Sequence, residues 1–202
     1  MSIVDLPELE ILYKDIFVMR YLYIMIHHWL LEENYTDPDQ LSTELGYHEY
    51  IEKLYFQRNG TPRGAAEREL RLWWRLMKMP GAPPLGSSPY YKHYLNINFQ
   101  VFNMRDVEIV REGRKMKVQY GEIILKLKAW IVTDPGGEWS KHWLLKYIQP
   151  YFERRLYRRD MELHKKNVYR DLYRLHGFIK KYLELQTFIP ELREFHEKFE
   201  TL

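Results

Sequence analysis

The chain has no cysteine, so disulfide staples and thiolate metal ligands are excluded, and an intracellular, cytoplasmic protein is the expectation. Proline and glycine are sparse, ten of each in 202 residues, and four of the prolines stand together between Pro80 and Pro89. Long apolar runs are missing too. Ile16 to Leu31 is the most apolar stretch, but it falls short of the roughly 20 residues a spanning helix needs, and Arg20 lies inside it. Asp5, Glu8, Glu10 and Asp15 do not suit a signal peptide, so no membrane span is expected.

Chemical signatures are absent as well. None of the eight histidines has a glutamate three residues before it, which excludes the paired Glu-x-x-His motifs of a di-iron bundle. His28 with Glu32, His48 with Glu52 and His196 with Glu200 share i, i+4 spacing, but no second histidine completes a zinc-protease pair. There is no G-x-S-x-G elbow, P-loop or dinucleotide fingerprint. The expectation is a non-enzymatic protein with no catalytic residues, metal or cofactor.

What is present is aromatic and patterned. Aromatic residues make up 16% of the chain, seventeen of them tyrosines, which implies large aromatic cores or interfaces. From Leu95 to Val132 apolar and polar residues alternate at the two-residue period of a half-buried strand. Leu95, Ile97, Phe99, Val101, Val107, Ile109, Met116, Val118, Tyr120, Ile123, Leu125, Leu127, Ala129 and Ile131 are expected to share one buried face.

The stretch is expected to form a four-stranded antiparallel meander, and two glycine turns fix the register of its later strands. A turn at Glu112-Gly113 sets Arg111 opposite Arg114, Ile109 opposite Met116 and Val107 opposite Val118. A turn at Gly121-Glu122 sets Tyr120 opposite Ile123 and therefore Lys117 opposite Lys126 and Lys115 opposite Lys128. Such facing lysines cost about 0.2–1 kcal/mol and call for an acidic partner.

The flanks read as helical. Residues 6–33 suggest one long core helix ending in a packed His27–His28 pair, followed by short helices at 37–45 and 48–57 and a longer one over 61–79 with Leu70, Trp73, Trp74 and Met77 as its apolar side. Residues 80–93 are a Pro/Gly-rich linker. After a turn at 133–137, helices are expected at 138–148, 151–188 and 191–201. Val168, Leu172, Leu175, Ile179 and Tyr182 form a seam at 4-3-4-3 spacing, suited to a lengthwise partner. The resulting organisation is a helical region 1–79, linker 80–93, meander 94–133 and C-terminal helical region 134–202. Together they make an α+β fold with N-terminal helices and a long C-terminal helix on the sheet.

Charge is uneven beneath a net +3. The first sixty residues carry four Lys/Arg against eleven Asp/Glu, whereas residues 61–133 carry thirteen against six. The acidic third would neutralise the basic middle if it folded over it. Around Glu153 to Arg174, arginines and lysines interleave with Tyr157, Tyr169 and Tyr173, the combination a phosphate backbone and stacked bases require. The favoured expectation is binding of RNA or DNA through Lys115, Lys117, Lys126 and Lys128, continued by Arg154, Arg155, Arg158 and Arg159. Two rivals stand beside it: a homo-oligomer assembled through the helical seam, and a small-molecule or lipid binder with a pocket between sheet and helix.

Overall fold

The computed structural model describes residues 2–38, 51–61, 64–80, 90–111, 114–155 and 158–184. Their elements, in chain order, are β1 (Ser2–Asp5), β2 (Leu9–Phe17), α1 (Met19–Glu32), β3 (Glu52–Thr61), β4 (Gly64–Lys78), β5 (Tyr91–Arg111), β6 (Arg114–Thr133), α2 (Glu138–Lys141), α3 (Leu145–Arg155) and α4 (Arg158–Tyr182). The expected mixture of helices, an antiparallel sheet and a C-terminal helix is present. Among the described residues, however, the sheet has six strands and not four, in the order β1-β6-β5-β4-β3, with β2 also paired to β6.

Residues 94–133 are not four strands but one hairpin of two very long ones, β5 and β6. The Glu112-Gly113 register is as the alternation predicts: Arg111 faces Arg114, Ile109 faces Met116 and Val107 faces Val118. The Gly121-Glu122 turn does not form, because β6 continues straight through it. Opposite Gly121, β5 carries a bulge between Phe102 and Arg105, with Asn103 in the left-handed region at φ 52°. A Cβ on Gly121 would stand 3.0 Å from the Phe102 carbonyl oxygen and 3.1 Å from the Met104 Cα. The glycine therefore serves close backbone approach rather than chain reversal.

Removing that turn changes both faces. In an unbroken strand Met116, Val118 and Tyr120 alternate out of phase with Ile123 and Leu125, so the expected single apolar face is split at the bulge. The lysine pairs disappear as well. Lys117 faces Glu108, Lys115 faces Val110, Lys126 faces Asn98 and Lys128 faces Asn96.

The N-terminal third is also corrected. Residues 6–33 are not one helix: β1 and β2 add to the edge of β6, and only Met19–Glu32 is helical. The expected helix over 61–79 is largely strand β4, and residues 52–57 belong to β3. In β4, Leu70, Leu72, Trp74 and Leu76 are buried while Arg71 and Trp73 are exposed, the period of a strand. Most of the expected helix at 37–45, most of the linker, and the expected last helix at 191–201 lie outside the described residues.

Both α1 and α4 cover the same face of the sheet. Leu22, Ile26, Trp29 and Leu30 of α1 and Val168, Leu172, Leu175 and Ile179 of α4 join Trp74, Phe99, Val101, Ile123, Leu125 and Leu127 in one core. Trp74 is fully buried at its centre, with Tyr23 edge-on at 4.8 Å and Phe99 at 4.9 Å. Beyond the sheet, α2 is a single turn and α3 begins at Leu145 and runs on through Pro150, so the expected helix at 138–148 is two pieces.

Candidate functional site

The helices leave the other face of the sheet uncovered by any described helix, and the cross-strand register builds a surface there. Trp73, Asn98 and Lys126 form one row across β4, β5 and β6. Arg75, Asn96 and Lys128 form the next, and Met77, Tyr94 and Trp130 the third. Arg71 and Gln100 extend it on the other side. Arg71, Trp73 and Lys128 are exposed; Arg75, Tyr94, Lys126 and Trp130 are half-buried.

Local contacts hold these side chains in place. The Arg75 guanidinium donates at 2.8 Å to Asn98 Oδ1 and at 2.9 Å to the Trp74 carbonyl, and it lies 5.6 Å from the Trp73 ring centroid. Partial burial pulls its pKa below the ordinary arginine value. Tyr94 and Trp130 stack in parallel at 5.4 Å, and burial raises the Tyr94 pKa. Glu10 of β2 is the register neighbour of Lys126 and supplies a carboxylate at that border. The surface thus combines cations, flat aromatic rings and amide side chains on three paired strands.

Of the sequence-derived candidates, Lys126 and Lys128 stand on this face. Lys115 and Lys117 belong to the hairpin tip, on the side that faces the helices, because β6 does not turn at Gly121. Arg158 and Arg159 open α4 and are exposed, and Arg155 ends α3 with its guanidinium 5.5 Å over Tyr151. The Arg154 side chain lies outside the described residues. Lys126 and Lys128 therefore do not share a face with Lys115 and Lys117. Sequence reasoning missed Arg71, Trp73, Arg75, Tyr94 and Trp130, although the alternation Leu70, Leu72, Trp74, Leu76 against Arg71, Trp73, Arg75 was available to find three of them.

The helical seam is used inside the chain. Val168, Leu172, Leu175 and Ile179 are buried in the core, and the Tyr182 hydroxyl donates to the Val18 carbonyl at 3.2 Å. An ionic cluster locks α4 beside it. Lys78 of β4 lies 2.9 Å from Asp171 and 3.7 Å from Glu33, and Arg174 reaches Glu33 at 2.8 Å. Tyr35 sits in this cluster, its pKa raised by burial and then by Asp171 and Glu33. Nearby, His93 Nε2 is 3.2 Å from His164 Nδ1. Burial, then His164, then Lys78 push the His93 pKa down to about 3, so the ring is neutral at physiological pH. Of the expected histidine pair, His27 packs against Trp74 and Tyr23 and stands edge-on to the exposed His28 ring at 6.3 Å.

Two grooves lie elsewhere on the described residues. One, of about 470 Å³, opens between the start of α1 and the covered face of the sheet. The other, of about 430 Å³, separates the hairpin tip from Phe17 and Tyr182. Among the described residues no group of three or more His, Asp or Glu side chains is placed to hold a metal ion, and no helix is long and apolar enough to cross a membrane.

The fold defines an α+β protein whose antiparallel sheet carries its long described helices on one face and presents Arg71, Trp73, Lys126 and Lys128 on the other. Compared with protein-family models, curated proteins and solved structures, the chain matches none.

Proposed function

We propose that the protein binds single-stranded nucleic acid, RNA or DNA, on the open face of its sheet. The observation that carries this reading is the set of adjoining cross-strand rows that put Trp73 and Lys126 on either side of Asn98, Arg75 and Lys128 on either side of Asn96, and the Tyr94–Trp130 stack in the row after that. The exposed Trp73 ring and the half-buried Tyr94 and Trp130 rings provide stacking surfaces for bases of any sequence, and Lys126, Lys128 and Arg71 meet the phosphates. Asn96, Asn98 and Gln100 add donors and acceptors between them. No chemistry on the bound strand is part of this function.

The test is fluorescence anisotropy of a labelled single-stranded oligonucleotide, RNA and DNA in turn, over a series of salt concentrations. Binding should weaken steeply with salt, as counterion release requires. Trp73→Ala should cost about 1–3 kcal/mol, the worth of one stacked base. Reversing Lys126 and Lys128 together to Glu should abolish binding and leave the melting temperature in place. Reversing Lys115 and Lys117, which lie on the other side, should change little. Failure to bind at low salt, or loss of binding on reversing Lys115 and Lys117 alone, would overturn the assignment.

A further inference from the structure

The groove beside α1 has a composition that the open face does not explain. It lies on the opposite side of the sheet, with an apolar floor made by Leu70, Leu72 and Met104, all buried. Val18, Tyr23 and Ile24 form its helical wall. Around the mouth stand three cations from three different elements: Arg20 of α1, Arg68 of β4 and Lys117 of β6. Among the described residues no carboxylate lines it.

Nearby acids offset only part of that charge. Arg68 is paired with Asp106, which also accepts from the Gln119 amide at 3.3 Å. Glu108 is the cross-strand neighbour of Lys117, but no ion pair within 4.0 Å joins them among the described residues. Arg20 likewise has no described carboxylate within that range. Gln119 is fixed from both ends, since its Oε1 accepts the Met19 backbone N–H at 3.1 Å. The groove is thus a preformed apolar trough with a net positive mouth, in the size range of small-molecule sites.

We infer that this groove binds an amphipathic organic anion, with its apolar chain on Leu70, Leu72 and Met104 and its carboxylate between Arg20 and Lys117. Apolar burial supplies the affinity, and the two cations without described acidic partners supply the selection of an anion over a neutral analogue. Because the trough and the nucleic-acid face are on opposite sides of the sheet, each stands or falls without the other.

The experiment titrates the full chain with dodecanoate and, separately, with dodecanol, reading heat by calorimetry and protection by thermal melting. Dodecanoate should bind once per chain, raise the melting temperature, and bind at least tenfold more tightly than dodecanol. The double variant Arg20→Glu, Lys117→Glu should weaken dodecanoate at least tenfold and leave dodecanol unchanged. Ile24→Trp, at an exposed position of the wall, should weaken both by filling the trough. Reversal of Lys126 and Lys128 should leave dodecanoate binding intact even if it abolishes nucleic-acid binding. Absence of dodecanoate binding, equal affinity for the alcohol, or undiminished binding by the double variant would overturn the inference. The wild-type comparison of acid with alcohol decides the matter even if a variant does not fold.

Discussion

At Gly121 one hydrogen atom in place of a side chain lets two strands pass close enough to stay paired around a bulge. The neighbours a Cβ would meet are the Phe102 carbonyl oxygen and the Met104 Cα, both backbone, so they cannot swing away as a flexible side chain would. Gly121→Ala is therefore expected to lower unfolding stability by about 1–3 kcal/mol in urea titration, through overpacking. An unchanged midpoint would mean that the bulge relaxes freely and that the close approach is incidental. The same residue explains the error in the predicted meander. Gly-Glu between apolar runs has the local look of a hairpin turn, and the bulge that needs the glycine lies about twenty residues earlier in the chain.

Among the elements, α1 shows how a local signal and a tertiary one divide the work. Its end is a Schellman arrangement: Asn34, at φ 60°, donates to the Leu31 carbonyl at 3.0 Å, and Tyr35 donates to Leu30 at 2.9 Å. Asn34→Gly should stabilise the protein and Asn34→Ala destabilise it, each by about 0.5–1 kcal/mol in chemical denaturation, because alanine resists positive φ and glycine does not. Changes of the same sign in both variants would remove the left-handed cap as the cause. Strand β4 teaches the opposite lesson. Its Glu, Arg, Leu and Met residues are good helix formers, and Leu70, Trp73, Trp74 and Met77 also fit one helical side. What decides the strand is pairing on both flanks, to β3 and β5, which buries Leu72, Trp74 and Leu76 completely or nearly so.

For the whole molecule the most sensitive junction is where β4, β5 and α4 meet. His93 is buried there, and its folded-state pKa of about 3 lies below the ordinary value of 6.5. A depressed pKa means that the unfolded chain takes up the proton first. The stabilising contribution is therefore complete above pH 6.5 and is lost as pH falls towards 3. The shift corresponds to roughly 3–5 kcal/mol across that window. Urea unfolding of wild type and His93→Gln from pH 7 to pH 4 should show a markedly flatter profile for the variant, whose amide keeps a donor near His164. Parallel profiles would place the acid sensitivity elsewhere. The ionic cluster of Lys78, Glu33, Asp171 and Arg174 draws the end of α1 and the middle of α4 together over the end of β4, so part of the acidic first third is spent on internal pairing.

Several features were determined by the sequence alone. The absence of cysteine, the alternation through Leu95–Val101 and Ile123–Ile131, the Glu112-Gly113 register and the buried seam of α4 all follow from residue type and local period. Lys126 and Lys128 were likewise legible as residues of the polar face. Only the tertiary structure decided that β6 runs unbroken through Gly121, that residues 9–17 and 64–78 are strands, and that Trp73, Arg75, Tyr94 and Trp130 join those lysines on one surface. The physical reason is that a strand is completed by hydrogen bonds to partners distant in the chain. A helix closes its bonds within four residues, and its period can be read locally, whereas the face a strand presents depends on neighbours that only the folded sheet supplies.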